Sequence, residues 1–238
     1  MQFLYNEPAA LHRNALLIGD THFGMEYKLR QKGIHERTFS ERVVQHIEQL
    51  LKKTKAKKLI IAGDVKDQIG GVDDITVAML QRLQDAVEEL IIVKGNHDGG
   101  IEATGATVVP ADGFSYYGVG IFHGHSWPGE EVLQCKQLLS AHQHPQVEFR
   151  DRSGKRHFQP VWVVAQADAE EIAKHYESFN KKSQLILMPA FNPLVGSSLR
   201  QNEHLGPVLN NNLFKLNAAL LFSLDGTLLG KLGDIKTE

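Results

Sequence analysis

Short apolar runs that stop abruptly on glycine followed by an acid or amide set the rhythm of the first half of the chain. Ala15-Leu16-Leu17-Ile18 ends at Gly19-Asp20, and Lys58-Leu59-Ile60-Ile61-Ala62 ends at Gly63-Asp64. Leu90-Ile91-Ile92-Val93 leads through Lys94 into Gly95-Asn96-His97-Asp98. Runs of this length and boundary read as buried strands. Between them the period changes. Val43, Ile47, Leu50 and Leu51 mark one face of an amphipathic helix over Glu36 to Lys53, and Ile75, Met79, Leu83 and Val87 mark a second. Strands alternating with helices predict right-handed crossovers and a largely parallel sheet covered by helices.

The second half has a different texture. Gly118 to Phe122 reads as a strand halting at His123, and Val147 to Phe149, Phe158 to Ala165, Leu185 to Met188 and Ala218 to Leu224 are further strands. Asp225-Gly226 predicts a hairpin turn before Leu228-Leu229. Asp151 to His157 is a polar loop with a turn at its centre. Ala167 to Phe179 is predicted as a helix with Ile172 and Tyr176 inward. No internal repeat or long Pro/Gly/Ser linker interrupts the chain, so residues 1–238 are expected to form one domain, an α/β half followed by a more antiparallel half.

Composition narrows the function classes. The chain has 238 residues, and 26 Lys and Arg against 28 Asp and Glu leave a net charge of -2. That argues against a general nucleic-acid-coating protein but not against a local basic patch. A single cysteine, Cys135, excludes an internal disulfide framework and a Cys-rich zinc site. Met1 to Leu16 lacks the basic and apolar regions of a signal peptide, and no apolar run is long enough to span a bilayer. The expected compartment is the cytoplasm, with no membrane partner. Histidine stands out: 12 residues, half of them in a few short motifs.

Asp20 and His22, Asp64, Asn96 and His97, and His123 all follow apolar strands. Helix-covered sheets place ligand sites at the carboxyl ends of strands, so these residues should converge in one crevice. His142-Gln143-His144, after a helical stretch and before Pro145, offers two more imidazoles that reach one site if the segment is extended. Acids, an amide and imidazoles form a mixed oxygen and nitrogen donor set that suits manganese, iron or zinc better than calcium. There are too many donors for one ion. Two cations sharing a carboxylate, roughly 3.5 to 4 Å apart, fit the number, and such a pair suits phosphate ester hydrolysis. Either His123 or His125 could ligate on this reading.

Asp20-Thr21-His22, Gly63-Asp64-Val65-Lys66-Asp67, Gly95-Asn96-His97-Asp98, His123-Gly124-His125 and His142-Gln143-His144 resemble, in order and spacing, the five motifs of the calcineurin-like metallophosphoesterases. Lys66, Gly99-Gly100, Trp127-Pro128 and the stretch from Leu187 to Leu194 resemble the prokaryotic SbcD-related phosphoesterases of that superfamily. The resemblance implies an α/β (α+β) fold, a four-layer αββα sandwich of two mixed β-sheets flanked by helices. It implies a hydrolase with two divalent metal ions, manganese favoured over iron, zinc, nickel or magnesium. Asp20, His22 and His144 would hold one ion, Asn96, His123 and His142 the other, and Asp64 would bridge them. A bridging hydroxide would attack phosphorus, His97 would donate a hydrogen bond or proton to the phosphate, and Asp98 would orient His97. The pattern favours His123 as the ligand, leaving His125 beside it or on substrate, while Asp67 would support the loop after Asp64. There are departures. Ala141 stands where the family carries glycine, and a helical insertion is expected around 166–183, as a cap or subunit contact.

Other features have plainer explanations. His12, His35, His46, His157, His175 and His204 are expected to be solvated or core histidines. The lysine-rich run from Lys52 to Lys58 suits a helix end, where basic residues complement the dipole. Arg150, Arg152, Lys155 and Arg156 could form a positive rim; Tyr116, Tyr117, Trp127 and Trp162 are expected to pack. The leading function is hydrolysis of phosphodiesters, nucleotide or nucleic-acid related. The alternatives are a metal-bearing, non-catalytic scaffold on the same fold, disfavoured by the presence of His97, and the nuclease component of a DNA-repair complex. The oligomeric state is open, a dimer being one option.

Overall fold

The computed structural model describes residues 1–36, 38–198 and 206–235. His204 lies outside the described residues. The first sheet runs, in spatial order, β1 (Gln2–Phe3), β2 (Ala10–His12), β3 (Ala15–Ile18), β4 (Lys58–Ile61), β5 (Glu89–Val93) and β6 (Thr107–Val109). β3 to β6 are parallel, and β1 and β2 add an antiparallel edge. After the short α1 (Glu26–Gln31), helices α2 (Phe39–Thr54) and α3 (Asp74–Ala86) make the crossovers expected from the apolar spacing.

The second sheet is larger. Its path is β13 (Ser197–Ser198), β10 (Pro145–Arg150), β11 (Arg156–Gln166), β12 (Gln184–Leu187), β9 (Gln137–Ser140), β8 (Val119–Phe122) and β7 (Phe114–Tyr116). β14 (Leu220–Ser223) pairs with β11, and β15 (Leu228–Lys231) pairs with β14 through the expected Asp225-Gly226 turn. β8, β9 and β12 are parallel, so this half is mixed rather than simply antiparallel.

Strand parity explains the layering. In register, Leu16 lies beside Leu59, and Leu59 beside Leu90. These side chains, with Ile18, Ile61 and Ile92, pack on Val43, Val44, Ile47, Leu50, Leu80 and Leu83 of the two crossover helices. The alternate residues Leu17, Ile60, Ile91 and Val93 point the other way, onto Ile121, Leu139, Trp162, Ile186 and Met188 of the second sheet. The far face of that sheet, with Phe122, Leu138, Val163, Leu185 and Leu187, is closed by α4 (Glu130–Leu133), α5 (Ala169–Ile172) and α6 (Pro207–Asn210) plus neighbouring loops. Two mixed sheets between helical layers are the expected architecture, although the outer layer of the second sheet consists of single turns. No helix among the described residues is long and apolar enough to cross a membrane.

Two local expectations are corrected. The helix expected over 167–179 is one turn, Ala169–Ile172, started by the Asp168 carboxylate accepting from the Glu170 and Glu171 amides at 3.2 and 3.4 Å. Beyond it the chain breaks into turns, so the insertion expected around 166–183 is mostly non-helical. There Tyr176 is held by its hydroxyl donating to the Pro128 carbonyl at 2.8 Å, and Tyr176 and Phe179 pack against the second-sheet core. His142-Gln143-His144 follows a strand, β9, rather than a helix.

Candidate metal centre

The candidate ligands sit in turns after five strands, three parallel ones in the first sheet and two in the second. Asp20 and His22 follow β3, Asp64 follows β4, Asn96 follows β5, His123 follows β8, and His142 and His144 follow β9. The turns are tight. Asp20, His22, Asp64, His142 and His144 all have left-handed backbones, φ between 44 and 69°. Such conformations are uncommon for residues with side chains and cluster where surrounding structure holds them for a purpose. His142 and His144 therefore reach the site through paired left-handed turns, not from an extended segment.

Main-chain hydrogen bonds carry the β3–β4 ladder past the sheet. The amides of Asp20, His22 and Phe23 donate to the carbonyls of Gly63, Asp64 and Val65 at 3.0, 3.0 and 2.7 Å, and Asp67 returns a bond to Phe23 at 2.8 Å. The His142 amide donates to Asp20 Oδ2 at 3.1 Å, tying the β9 turn to the β3 turn. Gly95 is required by contact: a Cβ there would stand 2.2 Å from the Asp64 nitrogen.

The side chains form two groups that share one acid. Asp20, His22, Asp64 and His144 each bring a donor atom within 4.8 Å of the others, and Asp64, His123 and His142 do the same. His144 Nε2 lies 3.3 Å from Asp20 Oδ1, and His22 Nε2 lies 3.9 Å from Asp64 Oδ2. On the other side His123 Nε2 is 3.4 Å from Asp64 Oδ1 and 3.2 Å from Asn96 Oδ1. His123 Nδ1 donates to the Ala62 carbonyl at 2.7 Å, which turns Nε2 toward the site. Two acids, an amide and inward imidazole nitrogens around a common carboxylate fit a pair of divalent cations, and these residues could hold one.

Protonation divides the imidazoles of that donor set. Burial pushes His22 down to about 4 and His142 down to about 3, so both imidazoles are neutral near pH 7. Burial opposes the charges of Asp20 and Asp64, but the adjacent imidazoles, His144 and His123 above all, hold both carboxyls below their ordinary values. Burial likewise opposes the positive charge of His123, yet its bond and attraction to Asp64 push it up to about 9. His144 is raised by Asp20 in the same way, against burial.

His97 lies at the open side, its Nε2 4.0 Å from Asp64 Oδ2. Its ring is oriented by the Asp67 carbonyl, 2.6 Å from Nδ1, rather than by Asp98 as expected. The Asp98 carboxylate is occupied elsewhere, accepting from the amides of Val65, Gly95 and Lys66 at 2.9, 2.8 and 3.4 Å. It secures the two loops that bring Asp64 and Asn96 together. Asp67 accepts from Lys28 Nζ at 2.8 Å and lies 3.8 Å from His22 Nδ1. His125 borders the second group, its ring centroid 5.2 Å from that of His123 and 5.9 Å from that of His142.

Sequence reasoning missed several supports. Lys66 is fully buried, and its ammonium donates to the carbonyls of Gln68, Ile69 (3.0 Å) and His97. The buried Glu26 carboxylate accepts from the Ser40 amide and hydroxyl at 2.5 and 2.7 Å, capping α2 from outside. Asn192 Nδ2 donates to the Thr21 carbonyl at 3.1 Å, pinning the first ligand turn. Lys66 and the stretch holding Asn192 were marked by the family resemblance without these roles, and Glu26 carried no signal.

The described histidines expected to stay outside the two groups do so. His12 meets the Tyr117 carbonyl at 3.3 Å, His46 pairs with Glu7 at 2.8 Å, His157 pairs with Asp151 at 2.9 Å, and His35 is exposed. Lys57 and Lys58 pair with Glu88 and Glu89. Arg150 and Arg156 lie opposite one another near the tip of the β10–β11 hairpin, sharing Glu148 at 3.5 and 3.6 Å. Trp162 is buried and stacks on Phe3, centroids 4.2 Å apart, but Trp127 is 40% exposed with His175 tilted against it at 4.7 Å.

Comparison with known proteins agrees with this geometry. Residues 14–194 match the calcineurin-like phosphoesterase family. Among solved structures the chain resembles a nuclease, MPE, from Pseudomonas putida, at 20% identity and a TM-score of 0.58, covering 93% of this chain and 91% of that one. This likeness shows the fold. Yfce, a phosphoesterase from E. coli, aligns over 92% and 97% of the two chains at 11% identity, and its TM-score of 0.45 is too low to carry an argument. No curated protein sequence matches. With its motifs gathered at the carboxyl ends of strands from both sheets and three quarters of its length inside the family match, the chain belongs to the calcineurin-like phosphoesterases, a family of hydrolases.

Proposed function

We propose that the chain hydrolyses phosphodiesters, nucleotide or nucleic-acid related, with two divalent cations, manganese favoured. The observation that carries this reading is the position of Asp64, whose carboxylate belongs to both ligand groups. Asp20, His22 and His144 would hold one cation, Asn96, His123 and His142 the other, and Asp64 would serve both. When bound, such a pair neutralises phosphoryl charge and lowers the pKa of water, making a nucleophile available near neutral pH.

The chain's own residues supply the rest. His97 Nδ1 is committed to the Asp67 carbonyl, so Nε2 is the atom that faces a phosphate placed over Asp64. From there the doubly protonated ring would donate from Nε2 to a phosphoryl oxygen, or pass that proton to the leaving oxygen and keep the one on Nδ1. Asp98 and Lys66 hold the loops that set this position. His125, half-buried beside His123 and His142, is placed to meet substrate.

The test is direct. Purified protein with manganese should hydrolyse bis-p-nitrophenyl phosphate, and faster than the monoester p-nitrophenyl phosphate. A metal-loaded sample inert on both esters would sink the catalytic reading and favour a scaffold.

A further inference from the structure

A cavity of about 350 Å³ opens beside the ligand groups, and His144 is part of its wall. Its other walls are largely apolar: Phe158, Pro160, Phe191, Pro193 and Leu224 line it together with a few polar groups. Its size falls at the lower end of the roughly 300–1,000 Å³ of small-ligand sites, and apolar walls with sparse polar groups are their usual chemistry.

The β10–β11 hairpin explains how cavity and ligand turn come to adjoin. β10 starts at Pro145, immediately after His144, and its Gln146 lies opposite Pro160 while Glu148 lies opposite Phe158. Residues two apart on a strand share a face, so Gln146, Pro160 and Phe158 project to the same side. Phe191 also lines the cavity, with the His46 ring tilted against it at 5.2 Å and His46 Nε2 2.8 Å from Glu7 Oε2. Phe191 is itself tied to the first ligand turn, its amide donating to the Gly19 carbonyl at 2.9 Å. An aromatic slot is thus built from the same backbone that carries Asp20 and His144. Phe158 lines the cavity while 55% exposed.

Resting on the phosphoesterase reading above, we infer that this cavity receives a flat aromatic group carried on the substrate's phosphate ester, a nucleobase or an aryl ring, with Phe158 as its specificity-determining contact. Ring stacking between proline and phenylalanine walls is the interaction that such a slot offers, and it is blind to the phosphate itself.

Binding separates the inference from catalysis. Methyl phosphate, phenyl phosphate and thymidine 5′-phosphate are titrated calorimetrically into manganese-loaded His97→Ala protein, a background chosen to slow turnover. The expected result is that the two ring-bearing ligands bind about tenfold more tightly than methyl phosphate. Adding Phe158→Ala should reduce that advantage to about twofold without changing methyl phosphate binding, and Phe158→Tyr should restore it. Phe158 is largely exposed, so neither change threatens the fold. The phenyl and thymidyl arms distinguish a general aryl slot from one that reads a nucleobase. Equal binding of all three, equal weakening of all three by Phe158→Ala, or no binding by any of them overturns the inference. Failure of the phosphoesterase reading is scored separately, by whether the unmodified protein hydrolyses bis-p-nitrophenyl phosphate at all.

Discussion

The Nδ1 atom of His97 lies 2.6 Å from the Asp67 carbonyl oxygen. A carbonyl only accepts, so the ring must carry its hydrogen on Nδ1 and present Nε2 toward Asp64 when neutral. His97→Ala should therefore lower kcat by about 100- to 10,000-fold, the usual range for a lost acid–base group. Metal content by elemental analysis should be unchanged, because His97 is outside both ligand groups. Full activity in that variant would remove His97 from the mechanism.

Asp64→Asn isolates charge from shape. The amide oxygen can still accept from the His97 amide, as Oδ1 of Asp64 does at 2.9 Å, so circular dichroism should match the parent. The shared negative charge is gone. Metal stoichiometry should fall below two ions per chain and turnover should drop to background.

Metal affinity should rise with pH. His123 is pushed up to about 9 by Asp64, so at neutral pH its proton competes with a cation for Nε2. Loading at pH 7 should release protons, detectable by calorimetry in buffers of different ionisation heat, and the release should fade as pH passes about 9. The metal-free fold responds with the opposite sign. A raised histidine contributes stability fully below its ordinary value of 6.5 and loses it as pH rises through about 9. Chemical denaturation of chelator-treated protein between pH 6 and 10 would test this.

Two buried charges outside the ligand set should matter to stability. Glu26→Ala strips the Ser40 amide and hydroxyl of their acceptor and leaves the α2 N-terminus uncapped, a loss of about 1–3 kcal/mol by urea denaturation. Lys66→Met leaves the carbonyls of Gln68, Ile69 and His97 without their shared donor. The expected cost is about 3 kcal/mol, with reduced turnover because the loop bearing His97 loosens. An unchanged denaturation midpoint in either variant would refute its assigned role.

Much of the fold was legible because its signals are local. Strands β3, β4 and β5 are apolar runs ended by glycine and a polar tip, and the faces of α2 and α3 repeat every three or four residues. The convergence of Asp20, His22, Asp64 and Asn96 was legible for the same reason, since they follow neighbouring parallel strands, whereas His123, His142 and His144 come from the second sheet. β9 was not legible, because only Leu138 and Leu139 of Gln137-Leu138-Leu139-Ser140 are apolar and no glycine stop follows. The helix expected over 167–179 failed because Tyr176 and Phe179 satisfy the core from turns as well as they would from a helix. Asp98 was assigned to His97 by adjacency in sequence, whereas the carbonyl that orients His97 belongs to Asp67, thirty residues earlier. Such pairings depend on how loops cross, which periodicity does not encode.

The main-chain bonds that lace the β3 and β4 turns together also govern how the centre fails. Asp20, His22 and His142 hang from backbone bonded to a neighbouring loop, so deleting one imidazole should not release the rest. Damage of this kind is compartmental: substitution of His142 should silence its own cation position while Asp20, His22 and His144 stay in register for the other.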